Sequence, residues 1–311
     1  MLTVGIDIGG TKIAGGVVDP SGAIVEKLRV RTPLDARELV DAVVDMLGDL
    51  VARHEVGAVG VAAAGFLSKD RSTVHHSPNI AWSGEPLRDM LQQRIGLPIT
   101  LENDANAAGW AEYRFGAGVG CDDMVMLTLG TGVGGAVIVG GELLRGGHGI
   151  AGELGHTRFI RDGRACGCGQ SGCLEQYASG RALQREAGEI ADAGGVGEPL
   201  AQVRAAHGTL PGPEVAHLAT AGDAGALEAV RRVAAALGEA CGGLQAVLDP
   251  HLFVIGGGVA TLGEVLLQPV RRAYEASLPG LGSRPVADFA IARLANDAGV
   301  IGVADLAARG R

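Results

Sequence analysis

Three of the five cysteines in this 311-residue chain fall within eight positions, "CGCGQSGC" (166 to 173), and His156 precedes them by ten residues. Cys166 and Cys168 are too close along the chain to bridge each other comfortably, and the two-residue spacing of a thioredoxin motif is absent, so metal ligation is the chemistry that remains. One imidazole (His156) and three thiolates (Cys166, Cys168, Cys173) suit tetrahedral Zn²⁺ in a closed structural site, within a loop that has too few large apolar residues to order itself. Glu153 stands three residues before His156 and Glu175 two after Cys173, so one metal would fix both carboxylates in one place. Carboxylates and an imidazole N–H suit vicinal hydroxyl groups of a ligand, with His156 offering its second nitrogen. Either glutamate taken alone reads as a solvated surface carboxylate. Cys121 and Cys241 lie outside the motif and read as ordinary buried residues.

Three glycine-rich turns form a second set. "GIDIGGTK" (5 to 12) puts Asp7 at a strand end, Gly9 and Gly10 in the turn, then Thr11 and Lys12. The turn's amides can form an anion nest and Asp7 can orient a hydrated Mg²⁺, although a plain β-hairpin turn reads equally well. It is not a Walker A loop, which needs four residues between its first glycine and Gly-Lys. "GTGVGG" (130 to 135, with Gly130, Thr131 and Gly132) matches the dinucleotide fingerprint letter for letter. The following "AVIVGGELL" is strand-like, whereas that fingerprint needs a helix, so a phosphate-holding hairpin is expected and NAD is not. "VIGGGVA" (254 to 260) runs a strand into Gly256, Gly257, Gly258 and Val259, where a backbone can lie against an adenine or ribose, or simply pack closely on a neighbour. Asn103 and Asp104, in "LENDANAAG", stand where a strand gives way to a helix; they read as a helix cap or as polar groups held for chemistry.

The elements that must position these residues follow from pattern. Apolar residues make up 47% and aromatics 3%, with 52 glycines, which is an α/β composition whose core is built from Ala, Val, Leu and Ile. Strands and hairpin turns are expected over 2–30, a helix begun by Asp35 and Glu38 through His54, a strand at 56–65, a helix at 85–95, a strand at 97–103 and a helix at 105–115. From Met124 the opening pattern returns. Laying Gly130 over Gly9, an offset of 130 − 9 = 121, brings 134–139 onto 13–18 and predicts a duplicated strand, phosphate-turn, strand, hairpin unit, three-stranded in each half. A long insertion (146–222) with two or three helices, a helix at 222–248, a strand at 251–257, a helix through 278, a strand at 286–294 and a last helix from 298 complete the chain. Two facing α/β domains with a cleft are expected. The formal charge of −9 and the lack of a basic run point away from nucleic acid and anionic membranes. With no signal-type or membrane-length apolar stretch, a cytoplasmic protein with reduced thiols is expected.

Taken in order, Asp7 to Lys12, "LGTGVGG", "GELGH" (152 to 156), "CGCGQSGCLE" and the "GGG" turn resemble the ROK family of sugar kinases, and most closely its ATP-dependent glucokinases, from about residue 3 to about 306. The resemblance implies an actin-like, hexokinase-type (ribonuclease H-like) α/β fold, with a small domain of 1–109 plus 297–311 and a large domain of 110–296. It implies ATP, Mg²⁺ and structural Zn²⁺, the last on His156, Cys166, Cys168 and Cys173. Asp104 matches the family's general base, and Gly65, Asn79 (in "HHSPNIAW"), Asn103, Glu153, His156 and Glu175 its sugar contacts, while His75 and His76 are expected to be loop residues. The nucleotide is expected on Asp7, Gly9 to Lys12, Gly130 to Gly132 and Gly256 to Val259. Glucose is the expected acceptor, with fructose, mannose, allose and acylated amino sugars as alternatives, polyphosphate as an alternative donor, and a homodimer or homotetramer as the assembly. The family also includes sugar-responsive repressors with a helix-turn-helix domain ahead of the first phosphate turn; the short lead into that strand and the acidic balance point away from DNA binding. A sugar-sensing module without transfer is the remaining reading, against which the intact Asp7, Lys12 and Asp104 stand.

Overall fold

Successive side chains of a strand point to opposite faces of its sheet, and the first strands here sort their residues by size accordingly. In β1 (Leu2–Ile8), Val4, Ile6 and Ile8 alternate with Gly5 and Asp7; in β4 (Val56–Ala63), Val59 and Val61 alternate with Gly60 and Ala62. The large residues join one buried cluster with α1 (Ala36–Arg53) and α2 (Leu87–Ile95), to which α1 contributes Leu39, Val40, Val43, Met46, Leu47 and Leu50. Asp35 starts α1 as expected, its side chain accepting hydrogen bonds from the backbone N–H groups of Arg37 and Glu38. The small face receives α10 (Ala298–Ala308), through Ala14, Val18, Val300 and Ala304 and through Ala62, Ala107 and Val303. A Cβ on Gly60 would overlap the Val303 carbonyl, and one on Gly5 the Val300 carbonyl, so this helix lies as close as glycine permits.

The computed structural model describes residues 1–77, 84–280 and 282–310. The chain divides into two compact units, Met1–Cys121 with Ala136–Gly152 and Arg293–Arg311, and Asp122–Gly135 with Glu153–Ala292. The first unit also holds β2 (Lys12–Val18), β3 (Ile24–Arg31), a hairpin of β5 (Phe66–Leu67) and β6 (Val74–His76), β7 (Ile99–Asn103) and α3 (Asp104–Phe115). Its main sheet runs β3-β2-β1-β4-β7, with β1 antiparallel to β2 and parallel to β4, and β4 parallel to β7. His75 and His76 therefore lie in β6 and not in a loop, since Val74 pairs back onto Leu67 and His76 onto Phe66.

A second sheet runs β10 (Glu142–Leu143), β9 (Val133–Val139), β8 (Met124–Leu129), β11 (Leu252–Gly256), β12 (Asp288–Ile291), the same order of roles as the first. The expected repeat is present: β9 lies at 133–139 where β2 lies at 12–18, each end offset by 121. The second unit carries α4 (Glu175–Ala178), α5 (Gly180–Ala193), α6 (Glu198–His207), α7 (Gly212–Thr220), α8 (Ala224–Leu248) and α9 (Glu264–Ser277). The insertion thus holds four helices among the described residues, one more than the two or three expected, because α4 is a single turn with no periodicity to read. Among the described residues, no helix is long and apolar enough to cross a membrane.

Candidate functional site

In the first unit, β1 delivers Asp7 to the mouth of the turn that leads into β2. The turn is closed by Gly9 N–H donating to the Lys12 carbonyl (3.1 Å) and by the Thr32 hydroxyl donating to the Gly9 carbonyl (2.6 Å). Gly10, Thr11 and Lys12 are exposed. Gly299, in the first turn of α10, leaves the space that the Asp7 carboxylate occupies; a Cβ there would lie 2.7 Å from its Oδ2. Burial, and next the charge of Asp104, push the Asp7 carboxyl up from 3.8 to about 7, against the pull of Lys12. Asp104 is also pushed up by burial, opposed by the hydrogen bond its Oδ1 accepts from Ala105 N–H (2.9 Å). Both carboxyls are thus held above the ordinary carboxylate range, which is the disposition expected where a group must take up a proton during reaction.

The end of β7 sets Asn103 and Asp104. Asn103 is the cap of α3: its Oδ1 accepts from Asn106 N–H (3.0 Å), while its Nδ2 donates to the Gly65 carbonyl (3.2 Å). Asp104 is the first residue of the helix proper and keeps partial solvent access. Gly65 has φ +129°, and a Cβ there would overlap the His76 carbonyl, so only glycine serves. Gly65, Asn103 and Asp104 are thereby joined in one unit. Asn79 falls outside the described residues.

Beneath this junction lies a group that sequence reasoning missed. Glu102 is 2% exposed; its Oε1 accepts from Asn103 N–H (3.0 Å) and Asn106 Nδ2 (3.2 Å), and its Oε2 accepts from Arg145 Nε at 2.7 Å, with Arg71 Nη1 at 3.8 Å. In sequence Glu102 reads as one polar residue at the end of a strand, and its arginines lie 31 and 43 residues away (102 − 71 and 145 − 102), so no local signal could pair them.

In the second unit three backbone turns converge. Gly130 N–H donates to the Gly132 carbonyl (3.0 Å), and Gly180 N–H, at the start of α5, donates to the Gly130 carbonyl (2.8 Å). Gly257 (φ +82°) is pressed so closely onto Leu129 that a Cβ would lie 2.5 Å from its carbonyl oxygen. Gly256 closes β11, Gly258 begins a 3₁₀ turn, and Val259 is buried beneath it. The residues after Gly130–Thr131–Gly132 form β9 and not a helix, as the rejection of a dinucleotide site requires.

The cysteine loop stands beside that turn. The ligand atoms of His156, Cys166, Cys168 and Cys173 all lie within 4.8 Å of one another, with Cys166 Sγ 3.7 Å from His156 Nδ1 and Cys168 Sγ 3.6 Å from Cys173 Sγ. A tetrahedral ion with bonds of about 2.3 Å to sulfur sets its sulfurs about 3.8 Å apart, so the donor set and its spacing fit such a metal. The loop is folded to present it: Cys166 N–H donates to the Gln170 carbonyl (2.8 Å) and Gly169 N–H back to the Cys166 carbonyl (3.1 Å). Burial, then the hydrogen bonds and charges of the two other thiols, push Cys173 up to about 12, a cost that a bound cation would reverse. Among the described residues no two cysteines form a disulfide; Cys241 is buried as expected, while Cys121 is only half-buried at the turn after α3.

Glu175 joins cluster and turn. Its Oε2 accepts from Val133 N–H (3.1 Å), its Oε1 is 3.5 Å from the Cys166 thiol, and Gly132 has no room for a Cβ against it. The sequence placed Glu175 beside the cysteines but gave no sign of its bond to the glycine turn. Glu153 precedes the 3₁₀ turn Leu154–His156, its carbonyl accepting from His156 N–H (3.0 Å). The expected sugar contacts are therefore divided, Gly65, Asn103 and Asp104 in one unit and Glu153, His156 and Glu175 in the other.

Two sheets of one strand order, each opening on a glycine turn, make this a protein of the actin-like, hexokinase-type α/β fold. The chain belongs to the ROK family, whose model matches residues 3–310. It is 46% identical over 311 residues to the glucokinase of Streptomyces coelicolor, covering 98% of this chain and 97% of that one. Its fold matches the crystal structure of a ROK family glucokinase from Streptomyces griseus in complex with glucose and AMPPNP with a TM-score of 0.89, at 46% identity and with all of both chains covered. The ROK hexokinase of Thermus thermophilus matches with a TM-score of 0.79 at 35% identity, over 100% of this chain and 99% of that one.

Proposed function

We propose that this chain transfers the γ-phosphoryl group of ATP to the primary hydroxyl of glucose, giving glucose 6-phosphate and ADP. The observation that carries the reading is Asp104, a carboxyl held at the first residue of α3 with its proton affinity raised, beside Asp7 at the phosphate turn. The glucokinase relatives support it. Asp104 accepts the sugar proton as the hydroxyl oxygen bonds to the γ-phosphorus; the bond from that phosphorus to the β,γ-bridging oxygen breaks, and ADP carries the electron pair away. Because the transition state is loose, orienting the hydroxyl is much of what Asp104 contributes. Asn103 retains one amide N–H and an acceptor lone pair beyond its two bonds, enough for a neighbouring hydroxyl. Gly65, Asn79, Glu153, His156 and Glu175 complete the sugar site in this reading.

The turns at Gly9 to Lys12, Gly130 to Gly132 and Gly256 to Val259 take the nucleotide. Asp7 would hold Mg²⁺ through its water shell, where the ion neutralises phosphate charge. His156, Cys166, Cys168 and Cys173 would hold Zn²⁺, which orders the loop that carries Glu153 and Glu175. A cytoplasmic homo-oligomer is proposed, for which the sedimentation coefficient is the check. The function is tested by a coupled assay for sugar 6-phosphate with ATP and Mg²⁺ over a panel of hexoses. Glucose should exceed the other sugars, and Asp104→Ala should lower kcat by about 10²–10⁴-fold. Turnover of another hexose alone, or undiminished turnover in the variant, refutes the assignment.

A further inference from the structure

Glu102 draws together three pieces of the first unit. Its Oε1 holds the Asn103 N–H and the Asn106 side chain in the opening turn of α3. Its Oε2 takes Arg145, from the segment after β10, and faces Arg71, from the turn between β5 and β6. Burial, then the neighbouring Arg145 guanidinium, push Arg71 down, while Glu102 holds it up, so both cations share this one carboxylate. The two segments also touch directly: a Cβ on Gly149 would lie 2.8 Å from Lys69 Cα. Arg71 takes φ +52°, a left-handed conformation that a non-glycine residue holds only when its surroundings impose it. The turn that imposes it is laced by Ser68 and Asp70, whose side chains accept the N–H groups of Ser72 and Thr73, while Arg71 N–H donates to the Ser68 carbonyl (2.8 Å). Along the chain, β6 leads to Asn79, and the 144–152 segment leads to Glu153.

We propose that Glu102 is a positioning residue for the sugar: joined to Arg145 and Arg71, it fixes Asn103 and Asp104 against the β5–β6 turn and the segment after β10. The inference rests on the kinase reading above. A buried carboxylate shared by two arginines costs desolvation and is weak as a stabilising device, so its presence directly under the reactive carboxyl calls for another role. A small displacement of a reacting group is enough to slow a positioned reaction severely.

The test is a kinetic cycle of Glu102→Gln, Arg145→Gln and the double variant. Glutamine keeps an acceptor for Asn103 and Asn106 and replaces the oxygen that takes Arg145 with an N–H donor, so it removes both the charge and the acceptor that order the arginines. Glu102→Gln should lower kcat/KM for glucose by about 10–100-fold, with KM for glucose raised, as is typical when the support of a reacting group is lost. KM for ATP should stay within about twofold, the scatter of uncoupled sites, and the double variant should be no worse than the worse single one. Partial unfolding would lower kcat alone, because KM does not depend on the active fraction. An unchanged KM for glucose in folded Glu102→Gln overturns the inference while leaving the kinase reading intact; no turnover in the unaltered chain overturns both. Should Glu102→Gln not fold, Arg71→Gln, at the outer end of the cluster, decides alone: a raised KM for glucose supports the inference and an unchanged one overturns it.

Discussion

Asp7 links folding to pH. An unfolded chain holds this carboxyl near 3.8, and the folded protein raises it to about 7, chiefly by burial. The folded state therefore binds a proton more tightly than the unfolded state, and the stability this contributes is present in full below pH ~3.8 and is lost as pH rises through about 7. Without Mg²⁺, the protein should lose stability between about pH 4 and 7 relative to Asp7→Asn, whose side chain has no proton to give up. Urea midpoints for both proteins across that interval supply the check, and parallel curves would remove the argument. Asp104, raised for the same first reason, adds to the slope in the same direction and would remain in the variant.

At the scale of elements, the zinc proposed above would order the loop from Glu153 to Glu175, whose backbone is tied by turns and by isolated bridges at Arg158–Cys173 and Ala165–Ser171. Cys168→Ser should yield protein without zinc, cleaved by proteases within 157–173 and inactive toward glucose; elemental analysis beside limited proteolysis checks this, and full activity in a zinc-free chain would end the structural role. Such loops were legible because their residues are neighbours in sequence: the cysteine spacing, the glycine turns and the 121-residue repeat all declare themselves within short windows. The repeat failed only at its third strand, where "RGGHGIAG" lacks the β-branched alternation of "IVEKLRVR" and β10 shrinks to Glu142–Leu143. The β5–β6 hairpin went unread because "FLSKDRSTVHH" has no Asn-Gly or Asp-Gly turn. Glu102 with Arg145, and Glu175 with Val133, went unread because only the fold brings them together.

At the scale of the whole molecule, the first unit is finished by α10, the stretch farthest from it in sequence. Val300, Val303 and Ala304 close the small-residue face of a sheet whose other strands all precede residue 104. The amides of 300–306 should accordingly exchange with solvent only on global unfolding, at the slowest rates in that unit. Exchange there as fast as at loop tips, measured by mass spectrometry, would show the helix to be loosely attached.

That closure has a consequence during synthesis. A ribosome makes β1 to β7 early, yet the helix that covers them emerges only after every residue of the second unit has left the exit tunnel. The unit begun first is thus the unit completed last, and through most of translation its glycine-lined face lacks the helix that covers it in the folded chain.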